Sequence, residues 1–152
     1  MQFYLVRHGE AVSAVENPQR PLSAAGRADV ERLARWALER GVRIAVIYHS
    51  GILRAAETAA ILAAQLSPPA GVEEHGGLLP EDDPVIAKAE IGSAQEPIML
   101  VGHLPHMNRL AGLLFAGDPD RAVAEFPTAT MLGCEWNQAR CKILWKSAQN
   151  LG

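Results

Sequence analysis

Cysteine is nearly missing from this chain: Cys134 and Cys141 are the only two among 152 residues, and no CxxC pair occurs. A disulfide framework and a thiolate zinc centre are therefore not expected. The two cysteines read as small core residues, although a hairpin between them would bring them close. Tracts of one charge are also missing. Fourteen basic residues stand against 17 acidic ones, a net charge of -3 with no lysine or arginine run, so neither nucleic acid nor an anionic membrane is an expected partner. No apolar run approaches the roughly 18 residues that span a bilayer, and the first residues lack a signal-peptide pattern. A cytoplasmic location is the default expectation. There is no internal repeat and no low-complexity tract.

What is present is apolar: 49% of side chains are hydrophobic, enough to bury a substantial core as a single domain over 1-152. A monomer or weak dimer is expected. The most informative stretch is the first ten residues. Phe3, Tyr4, Leu5 and Val6 form a β-favouring run that stops at Arg7-His8-Gly9, the way a buried strand delivers reactive groups to a sheet edge. Arg7 offers a fork of donors for an anion, His8 a nitrogen lone pair near neutral pH, and Gly9 close backbone approach.

A polar segment through Glu16-Asn17-Pro18-Gln19-Arg20-Pro21 reads as an active-site loop. Ser23 then looks like an N-cap, followed by a helix with Val30, Leu33, Ala34, Ala37 and Leu38 on its apolar face and closed by Gly41. Arg43 to Tyr48 reads as a second buried strand, followed by His49-Ser50-Gly51 and a helix from Leu53 to Leu66. The middle is less legible: a short strand from Val72 to Leu79, a loop over Leu79-Pro80-Glu81-Asp82-Asp83-Pro84, and a helix from Val85 to Ile91. Pro97 to Gly102 is a third apolar strand ending at His103. Pro105 opens a helix that carries Met107, Leu110, Leu113 and Leu114.

Two strand-like runs, Thr128 to Trp136 and Arg140 to Lys146, flank a hairpin turn at Asn137-Gln138-Ala139. In the second, Cys141, Ile143 and Trp145 should share a buried face opposite Lys142, Leu144 and Lys146. Trp36, Trp136 and Trp145 are expected against the core. His49 and His75 have no evident partner, and His106 is expected at the pocket rim or in solvent.

Strands alternating with helix-length segments predict an α/β fold in three layers, a mostly parallel sheet with helices on both faces and an antiparallel C-terminal hairpin. Ligands bind such sheets beyond the carboxyl ends of the strands. The three clear strands end in Arg7-His8-Gly9, in His49-Ser50-Gly51 with Arg54 a turn later, and in Gly102-His103. If the strands are parallel neighbours, all of these groups face one crevice. Two arginines and two histidines there would suit a phosphoryl dianion without a metal, with one histidine free to attack phosphorus in line. His8 is the better nucleophile, because one ring nitrogen could donate to a backbone carbonyl and leave the other's lone pair exposed. His103 would then bind a phosphate oxygen as a protonated donor. A metal reading of His103-Leu104-Pro105-His106 lacks a third ligand.

These motifs, Arg7-His8-Gly9, Ser50-Gly51-Ile52-Leu53-Arg54-Ala55 with Thr58, and Val101-Gly102-His103-Leu104-Pro105, resemble in order and spacing the histidine phosphatase superfamily, the phosphoglycerate-mutase-like fold. The short chain, Arg20-Pro21-Leu22-Ser23-Ala24-Ala25-Gly26 and the Gly-His-x-Pro form are most similar to SixA-type phosphohistidine phosphatases. The resemblance implies that His8 is the phosphorylated nucleophile, that Arg7 and Arg54 bind the phosphoryl group, that His103 completes the pocket and that no cofactor is needed. Two departures stand out. The family's usual Ser-Pro is Ser50-Gly51 here, which should loosen the helix start before Arg54 and be tolerated. The family's larger members also carry a glutamate that protonates the leaving alkoxide. Glu81, Asp82 or Asp83 could replace it here, against the simpler reading of three solvated loop acids.

An alkoxide needs such an acid, whereas an N-phosphorylated imidazole can take a proton on its other nitrogen near pH ~6.5 and leave neutral. Weak acid provision thus points to a phosphohistidine-bearing protein as substrate. A small phosphate ester of a sugar or nucleotide is the alternative, and a non-catalytic phosphate-recognition module a third.

Overall fold

The computed structural model describes residues 1–137 and 140–148. Ten elements follow in chain order: β1 (Gln2–Arg7), α1 (Ala24–Glu39), β2 (Val46–His49), α2 (Leu53–Leu66), β3 (Val72–Glu74), α3 (Pro84–Ser93), β4 (Ile98–Gly102), α4 (His106–Ala116), β5 (Met131–Asn137) and β6 (Arg140–Lys146). The strands form one sheet in the order β3-β2-β4-β1-β5-β6. β1, β4, β2 and β3 run parallel, and β5 and β6 are antiparallel additions. This is the expected three-layer α/β architecture.

Its cause is visible in β1. Tyr4 and Val6 pack with α1 and α2 residues such as Val30, Leu33, Ala59 and Leu62, while Phe3 and Leu5 pack on the other side with Ala87, Ile91, Met107 and Leu110 of α3 and α4. A strand with helices on both faces must be apolar at every position, which is why β1 and β4 read as continuous runs. α1 begins where Ser23 accepts the Gly26 N–H, as expected. Leu38, expected inside, lies at the edge of the apolar stripe and is half exposed.

Several boundaries differ from expectation. The second strand starts at Val46 rather than Arg43. Val42 and Ile44 are buried in the α1/α2 layer, so their apolarity reflects packing rather than pairing. Strand pairing is approached only at Ala45, whose N–H donates to Pro97 O and whose carbonyl accepts from Ala70 N. β3 is only three residues long, because His75 N–H makes the last bond to His49 O and the chain then turns away through Gly76-Gly77. α3 is longer than expected, capped by Asp83, whose side chain accepts from Val85 N, with Pro84 in its first turn.

Cys134 of β5 pairs with Ile143 of β6 but the adjacent Gly133 pairs with Trp145, so Leu144 is an extra, bulged residue in β6. The expected common face of Cys141, Ile143 and Trp145 is thereby split. Cys141 and Ile143 pack on the α3/α4 side and Trp145 on the α1 side, edge-on to Trp36 at 5.1 Å. Gly133 makes this possible, since a Cβ there would overlap the Trp145 ring. Trp136 packs on the α3/α4 side. Both cysteines are free, one buried and one half-buried. The turn expected at Asn137-Gln138-Ala139 falls, at Gln138 and Ala139, outside the described residues. Among the described residues no helix is long and apolar enough to cross a membrane.

Candidate active site

β2, β4 and β1 are parallel neighbours, so their carboxyl ends open on one crevice, as the strand-end pattern required. Arg7 pairs with Gly102 and His49 with Val101, and His8 N–H continues the ladder to Gly102 O. The His8 and His103 rings lie 5.0 Å apart, tilted by 52°.

His8 is almost fully buried. Its Nδ1 lies 2.6 Å from Gly9 O. A carbonyl only accepts, so the ring proton sits on Nδ1 and the lone pair on Nε2. Arg54 Nε is 3.4 Å from that Nε2. Burial first, opposed by the Gly9 bond and reinforced by Arg54, Arg7 and Arg20, lowers the His8 pKa to about 4. At neutral pH it is an uncharged imidazole with a lone pair in the crevice. Thr58 fixes the α2 register behind it, accepting Gly9 N–H at 3.1 Å and donating to Arg54 O at 2.8 Å.

Arg7 Nη1 donates to Phe126 O at 3.0 Å, which aims the guanidinium from the end of β1. Burial lowers the pKa of Arg7, and burial with Arg20 lowers that of Arg54. His103, 1% exposed, has Nε2 2.6 Å from Ser50 Oγ, and Ser50 Oγ also accepts Ile52 N–H at 3.2 Å. Burial, then His8, Arg54, His106 and Arg7, lower its pKa to about 3. Burial and the neighbouring cations therefore disfavour a charge on His103 in the free pocket; the expectation of a protonated donor concerns the anion-bound pocket.

The candidate acids do not join this cluster. Asp82 Oδ2 accepts Leu79 N–H and Asp83 Oδ1 accepts Val85 N–H, so both hold backbone, and Glu81 is exposed. Asp82 and Asp83 instead act on His106, favouring its charged form. His106 itself is fully buried, not at the rim, because the 77–83 loop covers it. His75, expected to lack a partner, pairs with Glu90 at 3.2 Å and meets Tyr48 edge-on at 4.7 Å. His49 Nδ1 accepts Gly51 N–H at 3.0 Å.

That last bond corrects the reading of Ser50-Gly51 as a loosened turn. Gly51 has φ +88, a conformation closed to proline and strained for other residues. Its N–H is used by His49, and a Cβ on it would overlap the Glu74 carboxylate. The turn that presents Ser50 and Arg54 is held by His49 and covered by Glu74, with no proline needed.

Two contributors were not assigned roles from sequence: Ser50, which holds His103, and Arg20, whose charge acts on both His8 and Arg54. Ser50 lay within a recognised motif. Arg20 likewise opens the Arg20-Pro21-Leu22-Ser23-Ala24-Ala25-Gly26 segment that carried the resemblance, at the end of the expected active-site loop.

The histidine phosphatase superfamily (branch 1) model matches residues 3–78, and the chain belongs to that superfamily. Among solved structures, the protein histidine phosphatase SixA complexed with tungstate is similar with a TM-score of 0.84 at 24% identity, over 98% of this chain and 97% of that one. An Agrobacterium tumefaciens protein designated phosphohistidine phosphatase SixA gives 0.80 at 22% identity, over 97% of each chain. The alpha-ribazole phosphatase from Shigella flexneri gives 0.78 at 16% identity, over 100% of this chain and 98% of that one. No curated protein sequence matches the chain. At these identities the structural likeness defines the fold, which serves phosphatases of both protein and small-molecule type.

Proposed function

We propose that this protein is a metal-independent phosphatase that works through a phosphohistidine intermediate on His8, with phosphohistidine in a protein as its substrate. The observation that carries the reading is the 2.6 Å contact between His8 Nδ1 and Gly9 O, which supports a neutral ring with its Nε2 lone pair toward the crevice. Nε2 attacks phosphorus, an N–P bond forms, and the bond to the leaving group breaks with the leaving group taking a proton. Water then attacks phosphorus, the N–P bond breaks, and inorganic phosphate leaves with His8 restored. Arg7 and Arg54 bind the equatorial oxygens through charge-assisted hydrogen bonds. His103 supplies a further donor once the bound dianion offsets the cations that keep it neutral.

The substrate class follows from the acids. Asp82 and Asp83 are engaged with backbone N–H groups, and among the described residues no carboxylate pairs with Arg7 or Arg54. A leaving group that protonates itself suits such a pocket, and an imidazole does so near pH ~6.5. Glu81 is the remaining candidate donor for an ester substrate. The likeness in fold to an alpha-ribazole phosphatase favours a small phosphate ester as the second reading.

Rapid-quench labelling with a chromogenic aryl phosphate, in the presence of a chelator, tests the mechanism. An acid-labile, alkali-stable phosphoenzyme, insensitive to chelation and absent in His8→Ala, is expected. Phosphate binding without any phosphoenzyme would leave a recognition module or direct hydrolysis and remove the catalytic assignment. Comparable turnover of an alkyl phosphate and a phosphohistidine protein would remove the substrate assignment.

A further inference from the structure

The loop between His8 and α1 is closed at its base by an Ala11–Leu22 bridge, by Val12 N–H to Pro21 O at 2.9 Å and by Ser23 N–H to Glu10 O at 2.9 Å. That base is fastened to α2, because Leu22 N–H donates to Glu57 Oε1 at 2.8 Å and Glu57 lies one turn along the helix from Arg54. Glu57 is itself held by Arg27 at 2.8 Å. The two residues just before this fastening are Arg20 and Pro21, so the fold carries Arg20 to the neighbourhood of Arg54.

Arg20 is held there at a cost. Its φ is +49, a left-handed conformation that disfavours a non-glycine residue by about 1–2 kcal/mol. Its side chain folds back across the loop base, where Nε donates to Val12 O at 3.0 Å, four residues beyond His8. A second cost is electrostatic. Arg20 acts on His8 and on Arg54, yet among the described residues none of Arg7, Arg20 and Arg54 is in an ion pair. Three guanidinium groups without an answering carboxylate raise the free energy of the empty pocket, and a bound anion relieves it. A non-glycine residue held in the left-handed region, with its charge acting on both His8 and Arg54, is the kind of strained position that function retains.

We propose that Arg20 is a substrate-binding residue, a third guanidinium that holds an oxygen of the phosphoryl dianion alongside Arg7 and Arg54. The inference rests on the phosphatase reading of this pocket and extends it. The competing role is mechanical, since the bond to Val12 O alone would make Arg20 a loop tether.

Tungstate binding measured by titration calorimetry separates the two, using the wild type, Arg20→Gln, Arg20→Lys and Arg20→Gly. Glutamine can still donate to Val12 O but carries no charge. Arg20→Gln and Arg20→Gly are each expected to weaken tungstate binding about 10- to 100-fold, the range for one charge-assisted hydrogen bond. Arg20→Lys should lose less, and the salt dependence of binding should be shallower in the uncharged variants. Arg20→Gly should keep or raise the melting temperature, because glycine accepts the left-handed backbone. Arg20→Gln binding within twofold of wild type overturns the proposal and leaves the tether. A wild type that does not bind tungstate would overturn the phosphatase reading as well, whereas normal wild-type binding with an unaffected Arg20→Gln strikes Arg20 alone.

Discussion

The Ser50 hydroxyl sits 2.6 Å from His103 Nε2 and joins the turn after β2 to the histidine at the end of β4. Among described residues it is the one hydrogen bond made by the His103 ring, whose Nδ1 is buried without a partner. Ser50→Ala therefore leaves both ring nitrogens unsatisfied, at a cost of about 1–3 kcal/mol. At roughly 2–4 °C per kcal/mol for a chain of this size, the melting temperature should fall by several degrees. A bound anion gives His103 a new partner. Inorganic phosphate should then raise the melting temperature of Ser50→Ala more than that of the wild type, and equal increments would show that His103 does not meet the anion.

Gly51 offers a test of how the same turn is held. Gly51→Ala meets two obstacles, the left-handed backbone at φ +88 and the Glu74 carboxylate where the Cβ would go. The backbone part costs about 1–2 kcal/mol, and the overlap adds little, because the exposed Glu74 side chain can swing aside. Adding Glu74→Ala should relieve that overlap and not the backbone strain, so a double-mutant cycle should show small coupling and incomplete rescue. Gly51→Pro, despite restoring the family's usual residue, should be worse than Gly51→Ala, since it also removes the N–H that His49 accepts. Equal melting temperatures for Gly51→Pro and wild type would mean that the turn can be rebuilt around proline.

The expectations that succeeded share one physical basis. Strands β1 and β4 are buried on both faces, so they appear as unbroken apolar runs, and their ends carry His8 and His103 directly. The misses involve structure that no single segment encodes. The start of β2 depends on where Pro97 and Ala70 meet Ala45, and the face of Trp145 depends on a bulge opposite Gly133. His106, expected at the pocket rim or in solvent, is buried, with Gly77, Asp82 and Asp83 of a loop distant in sequence beside it. The role of Arg20 depends on a backbone angle and a loop closure without periodicity.

Depressed histidine pKa values make stability fall in mild acid. His8 is lowered to about 4 and His103 to about 3 from an ordinary 6.5. Below pH 6.5 the unfolded chain takes up protons that the folded protein refuses, so stability is highest above that pH and declines as pH drops toward 4. Each unit of separation corresponds to about 1.4 kcal/mol. Thermal unfolding followed from pH 7.5 to 4.5 should show a falling melting temperature, and the slope should be shallower in His8→Asn. An unchanged slope in that variant would mean that His8 titrates normally and that neither burial nor the neighbouring arginines depress it.

His106 makes the sharpest stability prediction because it is buried, polar and outside the proposed set of Arg7, His8, Arg54 and His103. It is 0% exposed, and its hydrogen-bonding contact with the Gly77 backbone is too poorly aligned to satisfy either ring nitrogen well. Burial lowers its pKa first, with Asp82, the Gly77 backbone and Asp83 pulling the other way and Arg109 adding to the fall. An apolar side chain of similar volume removes two poorly satisfied atoms and gives up only the weak Gly77 contact, a change that is near neutral or stabilising. His106→Met should therefore leave the melting temperature unchanged or higher at pH 7.5. At pH 5 the variant should gain further on the wild type, since it no longer carries a group that the unfolded chain protonates and the folded protein keeps neutral. If His106→Met is instead destabilised by more at pH 5 than at pH 7.5, His106 is charged in the folded state, paired with Asp82 or Asp83, and the loop they share is held by an ion pair.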